Sequence, residues 1–122
     1  MDKSFEKGCV LIVGGSGGIG SLCAKEFAQS GAKVVITYYK NKQAADEVAK
    51  DINNDVQIYQ LDNSDPKSVE ETFQKVVNDY GSINTLVNAA GFDIPQKFIS
   101  EIDTDLWKSV IDADINGFFN LI

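Results

Sequence analysis

The chain has 122 residues, 43% hydrophobic and 24% charged, with 18 acidic and 11 basic side chains and a net charge of −7; this is enough for one compact domain over 1–122 and not for two. Every basic residue is lysine, so no guanidinium can clamp a phosphate bidentately or read a guanine edge, and nucleic acid is not an expected partner. Histidine is absent, which removes Ser-His-Asp and Cys-His catalysis and most zinc chemistry, and no metal site is expected. The opening octapeptide MDKSFEKG mixes both charge signs, and the longest aliphatic run is Cys9 to Val13. Neither a signal peptide nor a membrane span is therefore expected, and the expected location is cytoplasmic. Cys9, in that run, and Cys23, on the apolar side of a helix, read as reduced core residues and not as a disulfide.

Cys9-Val-Leu-Ile-Val13 reads as a strand buried on both faces, cut short by Gly14, Gly15, Gly17, Gly18 and Gly20. Ile19, Leu22, Cys23 and Phe27 recur at helical spacing from Gly18 to Ser30, with Gly31 as the stop. Lys33 to Tyr38 predicts a second strand, and Asn41 caps a second helix running to about Asn53. Val56 to Leu61 supplies a third strand. Asp65 and Pro66 open a third helix whose inward face is Val69, Phe73, Val76, Val77 and Tyr80, ended by Gly81. Ile83 to Asn88 is the fourth strand. Asp103 or Thr104 opens a last helix with Trp107, Val110, Ile111, Phe118 and Ile122 on one stripe. Strands alternating with helices of this length predict an α/β fold of Rossmann type, a partial doubly wound parallel sheet of about four strands with helices on both faces.

A strand, a glycine-rich turn and a helix start place backbone N–H groups and the positive helix end around an anion such as a pyrophosphate. The second strand carries no acidic partner for an adenosine ribose: between Phe27 and Ala45 there is no Asp or Glu, and the strand ends in Tyr38-Tyr39-Lys40-Asn41-Lys42. A missing carboxylate removes repulsion against a 2′-phosphate, and Lys40 or Lys42 can pair with one, so NADP(H) is favoured over NAD(H). Tyr38 and Lys42 also show a Tyr-x-x-x-Lys spacing, but at a strand end beside the adenosine pocket they are not read as a catalytic pair.

Val13-Gly14-Gly-Ser16-Gly17-Gly18-Ile19-Gly20 resembles the T-G-x-x-x-G-I-G motif of the short-chain dehydrogenase/reductase family, with valine in the threonine position. Asn88-Ala89-Ala90-Gly91 is similar to the family's N-N-A-G motif, and Asp62 matches the aspartate that hydrogen-bonds the adenine amino group. The resemblance covers essentially the whole chain and corresponds to the first half of a family member, most like 3-oxoacyl-carrier-protein reductases and 3-hydroxyacyl-CoA dehydrogenases. It implies pyrophosphate contacts from Gly14, Gly17, Gly18 and Gly20, loop contacts from Ser16 and Ile19, adenosine contacts from Tyr38, Tyr39 and Lys40, and backbone beside the adenine from Asn63. Asn88, Ala89, Ala90 and Gly91 would line the ribose region. Asp62 has an alternative reading as a turn residue, because Asp-Asn-Ser-Asp is also good turn chemistry.

In this resemblance Ala113-Asp114-Ile115-Asn116-Gly117 matches a V-N-x-x-G-like segment whose asparagine holds a water in the proton relay. Asp114 therefore stands as the chain's candidate catalytic residue. By spacing it sits on or near the apolar stripe, and it reads either as a relay member or as an edge residue reaching solvent. The family's serine and Tyr-x-x-x-Lys would lie beyond Ile122, so the chain alone is expected to be inactive. Phe92-Asp-Ile-Pro-Gln96 reads as a surface loop or a substrate contact. The implied partners are a nicotinamide dinucleotide, a small carbonyl or hydroxyacyl substrate and, through an open fourth strand and uncovered Phe118, Phe119 and Ile122, further copies of the chain as a homo-oligomer. The alternative is a non-catalytic dinucleotide-binding or interaction module that needs a partner to complete its sheet.

Overall fold

The computed structural model describes residues 7–52, 55–91 and 94–122. Its strands are β1 (Cys9–Val13), β2 (Val34–Tyr38), β3 (Gln57–Gln60) and β4 (Ile83–Asn88), and its helices are α1 (Gly18–Gln29), α2 (Lys42–Asp51), α3 (Pro66–Tyr80), α4 (Thr104–Ile111) and α5 (Gly117–Leu121). All strand pairings are parallel, in the order β3-β2-β1-β4. The chain thus leaves β3 at one edge and crosses to β4 at the other, and the strand order reverses at β1. This is the expected doubly wound α/β fold.

β1 is buried along its whole length, and its alternating side chains separate two cores. Val10 and Ile12 join Ala24 of α1 and Ala45, Val48 and Ala49 of α2 on one face. Cys9, Leu11 and Val13 join Val69 and Val76 of α3 and Leu121 of α5 on the other. A period of two in the strand is what lets one β-segment serve both helical layers.

The helix ends follow local chemistry. The Asn41 side chain accepts from Ala44 N at 3.0 Å, Asp65 from Lys67 N at 3.0 Å and Asp103 from Leu106 N at 2.8 Å. Each satisfies one of the donors that a helix start leaves open. Gly31 and Gly81 stop α1 and α3 with φ of 88° and 83°, a backbone region that glycine enters without steric cost. The expected end of the second helix at Asn53 lies outside the described residues.

Three expectations about packing are corrected. In α1 the fully buried residues are Gly20 and Ala24; Cys23 and Phe27 pack against the core as expected, while Ile19 and Leu22 are 75% and 63% exposed. Val77 is exposed where an inward position was expected. The last helix is not one regular rod, because a π-helical turn over Asp112–Asn116 separates α4 from α5. Its buried positions are Gly117 and Leu121, and Trp107, Phe118 and Ile122 face outward. A Cβ on Gly117 would lie 2.7 Å from Asn63 Nδ2, so close approach of this helix to the β3–α3 loop selects the glycine face over the bulkier stripe one residue away. Asp114 is consequently exposed, not set among apolar side chains.

Candidate functional site

β1 ends where a glycine turn is required by its surroundings. Gly14 has φ of 77°, and a Cβ there would lie 2.7 Å from both Ala90 N and Ala90 Cα. A Cβ on Gly20 would lie 2.2 Å from Gly14 O, and one on Gly15 2.5 Å from Ile36 Cβ. These glycines let the turn fold back on its own helix, on β2 and on the loop after β4. Gly18 differs: a Cβ there meets no atom within 4 Å. α1 is also the one long helix whose N-cap, Gly17, offers no side-chain hydrogen bond, in contrast to α2, α3 and α4. Its first N–H groups and the positive end of its dipole therefore face outward without a side-chain acceptor.

Beside this turn a crevice of about 370 Å³ opens at the carboxyl ends of the strands, the place where a reversal of strand order leaves neighbouring loops splayed. It is lined by Val13 and Gly14, by Thr37, Tyr38, Tyr39 and Lys40, by Leu61, Asp62, Asn63 and Ser64, by Ala90 and Gly91, and by Ser109, Asp112 and Ala113. Eight of the residues singled out from sequence meet here: Gly14, Tyr38, Tyr39, Lys40, Asp62, Asn63, Ala90 and Gly91. Ser16, Gly17, Gly18, Ile19 and Gly20 continue from Gly14 into α1 outside the lining, and Asn88 and Ala89 lie just before it on β4 and its loop. Asp114 is also outside the lining, with its Oδ1 3.9 Å from the Cβ position of Gly91.

The loops are tied down individually. Thr37 is buried, its Oγ1 accepts from Gly14 N at 3.3 Å, and its carbonyl accepts from Gly15 N at 3.0 Å. Ala89 N donates to Val13 O at 2.8 Å, and Ala90 N to Asn88 Oδ1 at 3.2 Å. Asp62 Oδ1 accepts from Ser64 N at 3.0 Å and Ser64 Oγ at 2.6 Å, which is turn chemistry combined with a place in the crevice wall. Asn63 Nδ2 donates to Ala113 O at 3.3 Å, while Asn120 Nδ2 donates to Asn63 O at 2.9 Å. The first of these follows from the π turn, where Gly117 N bonds Asp112 O in place of Ala113 O, leaving the Ala113 carbonyl for Asn63.

The two lysines at the end of β2 separate. Lys40 lines the crevice with its Nζ 5.2 Å from the centre of the Tyr39 ring. Lys42 pairs with Asp46 at 3.0 Å on the surface of α2 and is not part of the lining. Sequence reasoning missed Thr37, Ser109 and Asp112. Thr37 sits in a uniformly β-forming run with nothing local to mark it. Ser109 and Asp112 are three apart on a helix, a spacing that puts both on one face, but only the packing of α4 says which face.

Elsewhere, Cys9 and Cys23 are free thiols, and burial pushes Cys9 up to about 11. Among the described residues, no group of three or more His, Cys, Asp or Glu could hold a metal ion, and no helix is long and apolar enough to cross a membrane.

Fold and crevice together define a doubly wound α/β protein with a glycine turn and an uncapped helix start at its strand reversal. The chain belongs to the short-chain dehydrogenase family, whose family model matches residues 8–122. It is 30% identical to an uncharacterized oxidoreductase of Staphylococcus epidermidis over 122 residues, covering 100% of this chain and 52% of that protein. Among solved structures it is similar to the 3-ketoacyl-(acyl-carrier-protein) reductase of Brucella melitensis complexed with NADH, with a TM-score of 0.87 and 26% identity over 96% of this chain and 48% of that one. It is also similar to ElxO with NADP bound, with a TM-score of 0.81 and 31% identity over 94% of this chain and 47% of that one. The chain spans about half the length of the relatives it matches.

Proposed function

We propose that residues 1–122 form a single dinucleotide-binding domain, the cofactor half of an oxidoreductase that moves hydride between a nicotinamide and a carbonyl or secondary alcohol. The observation that carries the reading is the start of α1: a helix without a side-chain cap, preceded by glycines, with open space over Gly18. Such an end suits a pyrophosphate, whose oxygens take up main-chain N–H groups. Gly14, Gly17, Gly18 and Gly20 shape this turn, with Ser16 and Ile19 beside it; the adenosine falls to Tyr38, Tyr39, Lys40, Asp62 and Asn63, and the next ribose to Asn88, Ala89, Ala90 and Gly91. When bound, the dinucleotide supplies or accepts the hydride.

Lys40, the one cation among the described residues of the crevice lining, supports a preference for NADP(H) over NAD(H), since it can pair with a 2′-phosphate. Asp114, exposed and close to Gly91, keeps the relay role that the family position suggests. Catalytic serine, tyrosine and lysine are assigned to a further segment, and the 122 residues alone are expected to bind dinucleotide without turnover. A small carbonyl or hydroxyacyl substrate, a cytoplasmic setting and homo-oligomeric assembly complete the reading.

Calorimetric titration of NADPH and NADH into the chain, a Gly18→Glu variant and a Lys40→Glu variant tests it. The chain should bind NADPH more tightly than NADH, Gly18→Glu should bind neither, and Lys40→Glu should lose the preference. Equal weak heats from the chain and Gly18→Glu would remove the glycine turn from the argument. A second reading, a non-catalytic module completed by a partner, is favoured by β4 at the sheet edge and by Trp107 and Ile122, 59% and 81% exposed. It predicts partner-dependent folding, with dinucleotide heat if the module binds the cofactor and none if it serves interaction alone.

A further inference from the structure

We infer that Thr37 is a positioning residue: from β2 it fixes the first two peptide units of the glycine turn before any ligand arrives, and so sets the affinity for a diphosphate. The inference rests on the dinucleotide reading above. Val35, Ile36 and Thr37 are all buried, and Thr37 is the one with a hydrogen-bonding side chain. A hydroxyl in such a place costs free energy unless it is bonded. Its partner is Gly14 N at 3.3 Å, 23 positions away along the chain. Val13, next to the turn on β1, has no polar side-chain atom to offer.

Each of the two peptide units is held at both ends. The Val13–Gly14 unit donates its N–H to Thr37 Oγ1, and its carbonyl, Val13 O, accepts from Ala89 N at 2.8 Å. The Gly14–Gly15 unit donates through Gly15 N to Thr37 O at 3.0 Å, and its carbonyl, Gly14 O, accepts from Gly17 N at 3.2 Å. Thr37 thus takes up both N–H groups on the strand side of the turn, one with its side chain and one with its main chain. On the helix side, Gly18, Ile19 and Gly20 are the first three residues of α1, whose N–H groups a helix start leaves for an outside acceptor.

The clasp matters because of what it holds. From Gly14 to Gly20, five of the seven residues are glycine, and glycine explores more backbone conformations than any other residue. A loose turn of that composition would have to be ordered by the ligand, and a peptide unit that rolled over would aim a carbonyl oxygen at the anion. Order established beforehand removes that cost from binding.

The test uses Thr37→Val, which keeps the shape and removes the acceptor, with Thr37→Ala as a second chain lacking it. Thr37→Ser keeps the hydroxyl, and Val34→Ala unpacks the far end of the same strand. NADPH affinity is read by calorimetry, and exchange of the Gly14 amide hydrogen by NMR without ligand, under conditions where urea melts show each variant folded. Thr37→Val and Thr37→Ala should exchange Gly14 N–H about tenfold faster and bind NADPH about three- to tenfold more weakly, the worth of one hydrogen bond. Thr37→Ser should return both readings to within about twofold of the unsubstituted chain. Val34→Ala should lower the urea midpoint and leave NADPH affinity unchanged. Unchanged affinity or unchanged Gly14 exchange in the chains without the acceptor overturns the inference, and so does a loss that Thr37→Ser shares in full. A loss of affinity in Val34→Ala as large as in Thr37→Val also overturns it, by assigning both to stability. In each of these cases NADPH still binds the unsubstituted chain and the dinucleotide reading stands; if it does not bind that chain, both fall together.

Discussion

Gly18 and Gly20 stand two residues apart at the start of α1, yet the structure gives them opposite roles, and a pair of alanine substitutions separates these. In Gly20→Ala the new Cβ would lie 2.2 Å from Gly14 O and 2.9 Å from Gly15 Cα, all main chain that cannot swing aside. Overpacking of that kind costs about 1–3 kcal/mol, and alanine's better helix propensity returns only about 0.5–1 kcal/mol. Because the clash is with backbone, the cost belongs at the upper end, for a net loss of about 2 kcal/mol. In Gly18→Ala the Cβ meets nothing within 4 Å and the position is the first of the helix, so stability should be unchanged or rise by about 0.5 kcal/mol. With a urea slope of about 1.5–2 kcal/mol/M, Gly20→Ala should lower the midpoint by about 1 M and Gly18→Ala should raise it slightly. Circular dichroism during urea titration reads both. Titration with NADPH should then show Gly18→Ala weakened about tenfold or more despite its intact fold, because the methyl group occupies the approach to the helix N-terminus. Two results refute the reasoning: a Gly18→Ala chain as destabilised as Gly20→Ala, or one that binds NADPH as the unsubstituted chain does.

Gly117→Ala would set a Cβ 2.7 Å from Asn63 Nδ2 and 2.8 Å from Asn63 Cγ, a clash with a side chain that can be removed. It should cost about 1–2 kcal/mol alone, and in an Asn63→Ala background about 1 kcal/mol of that should vanish; additive losses in urea melts would show that the contact is not the cause. At alkaline pH the fold holds the protons of Tyr59, Cys9 and Tyr80, the last raised chiefly by burial. Acceptance by the Asp79 carboxylate, followed by burial, pushes Tyr59 up to about 12 from an ordinary 10, and burial pushes Cys9 up to about 11 from 9. The unfolded chain releases these protons first, so their contribution is complete below about pH 9 and falls as pH rises through 11 and 12. Urea midpoints of Tyr59→Phe should decline less than those of the unsubstituted chain between pH 10 and 12, and parallel decline would exclude the Tyr59–Asp79 pair as a source.

Much of this architecture was legible in the order of the residues, because its determinants are local. β1 and β4 run over Cys9–Val13 and Ile83–Asn88, as their apolar runs predict. Asn41, Asp65 and Asp103 cap where their short polar side chains allow it, and Gly31 and Gly81 stop helices where positive φ is needed. The glycine turn, the absence of an acidic residue after β2 and the three family-like motifs were likewise visible, since each is a matter of residue type at fixed spacing. Eight crevice residues follow from them.

Tertiary contact alone decided the rest. Spacing limits the choice of helix face but not which face finds a partner: α1 turns Gly20 and Ala24 to the sheet and exposes Ile19 and Leu22, and the last helix turns Gly117 inward and Phe118 outward. In both cases a close approach, of main chain at Gly20 and of the Asn63 side chain at Gly117, favoured glycine at the contact. The π turn, the capture of Ala113 O by Asn63, and the entry of Ser109 and Asp112 into the crevice depend on residues about fifty positions apart. The Lys42–Asp46 pair is a local i,i+4 contact within α2, but the place of Lys40 in the crevice lining depends on how the loops pack. A sequence records side-chain type and interval; distance between segments, which determines packing and charge neighbours, exists only once the chain has closed on itself.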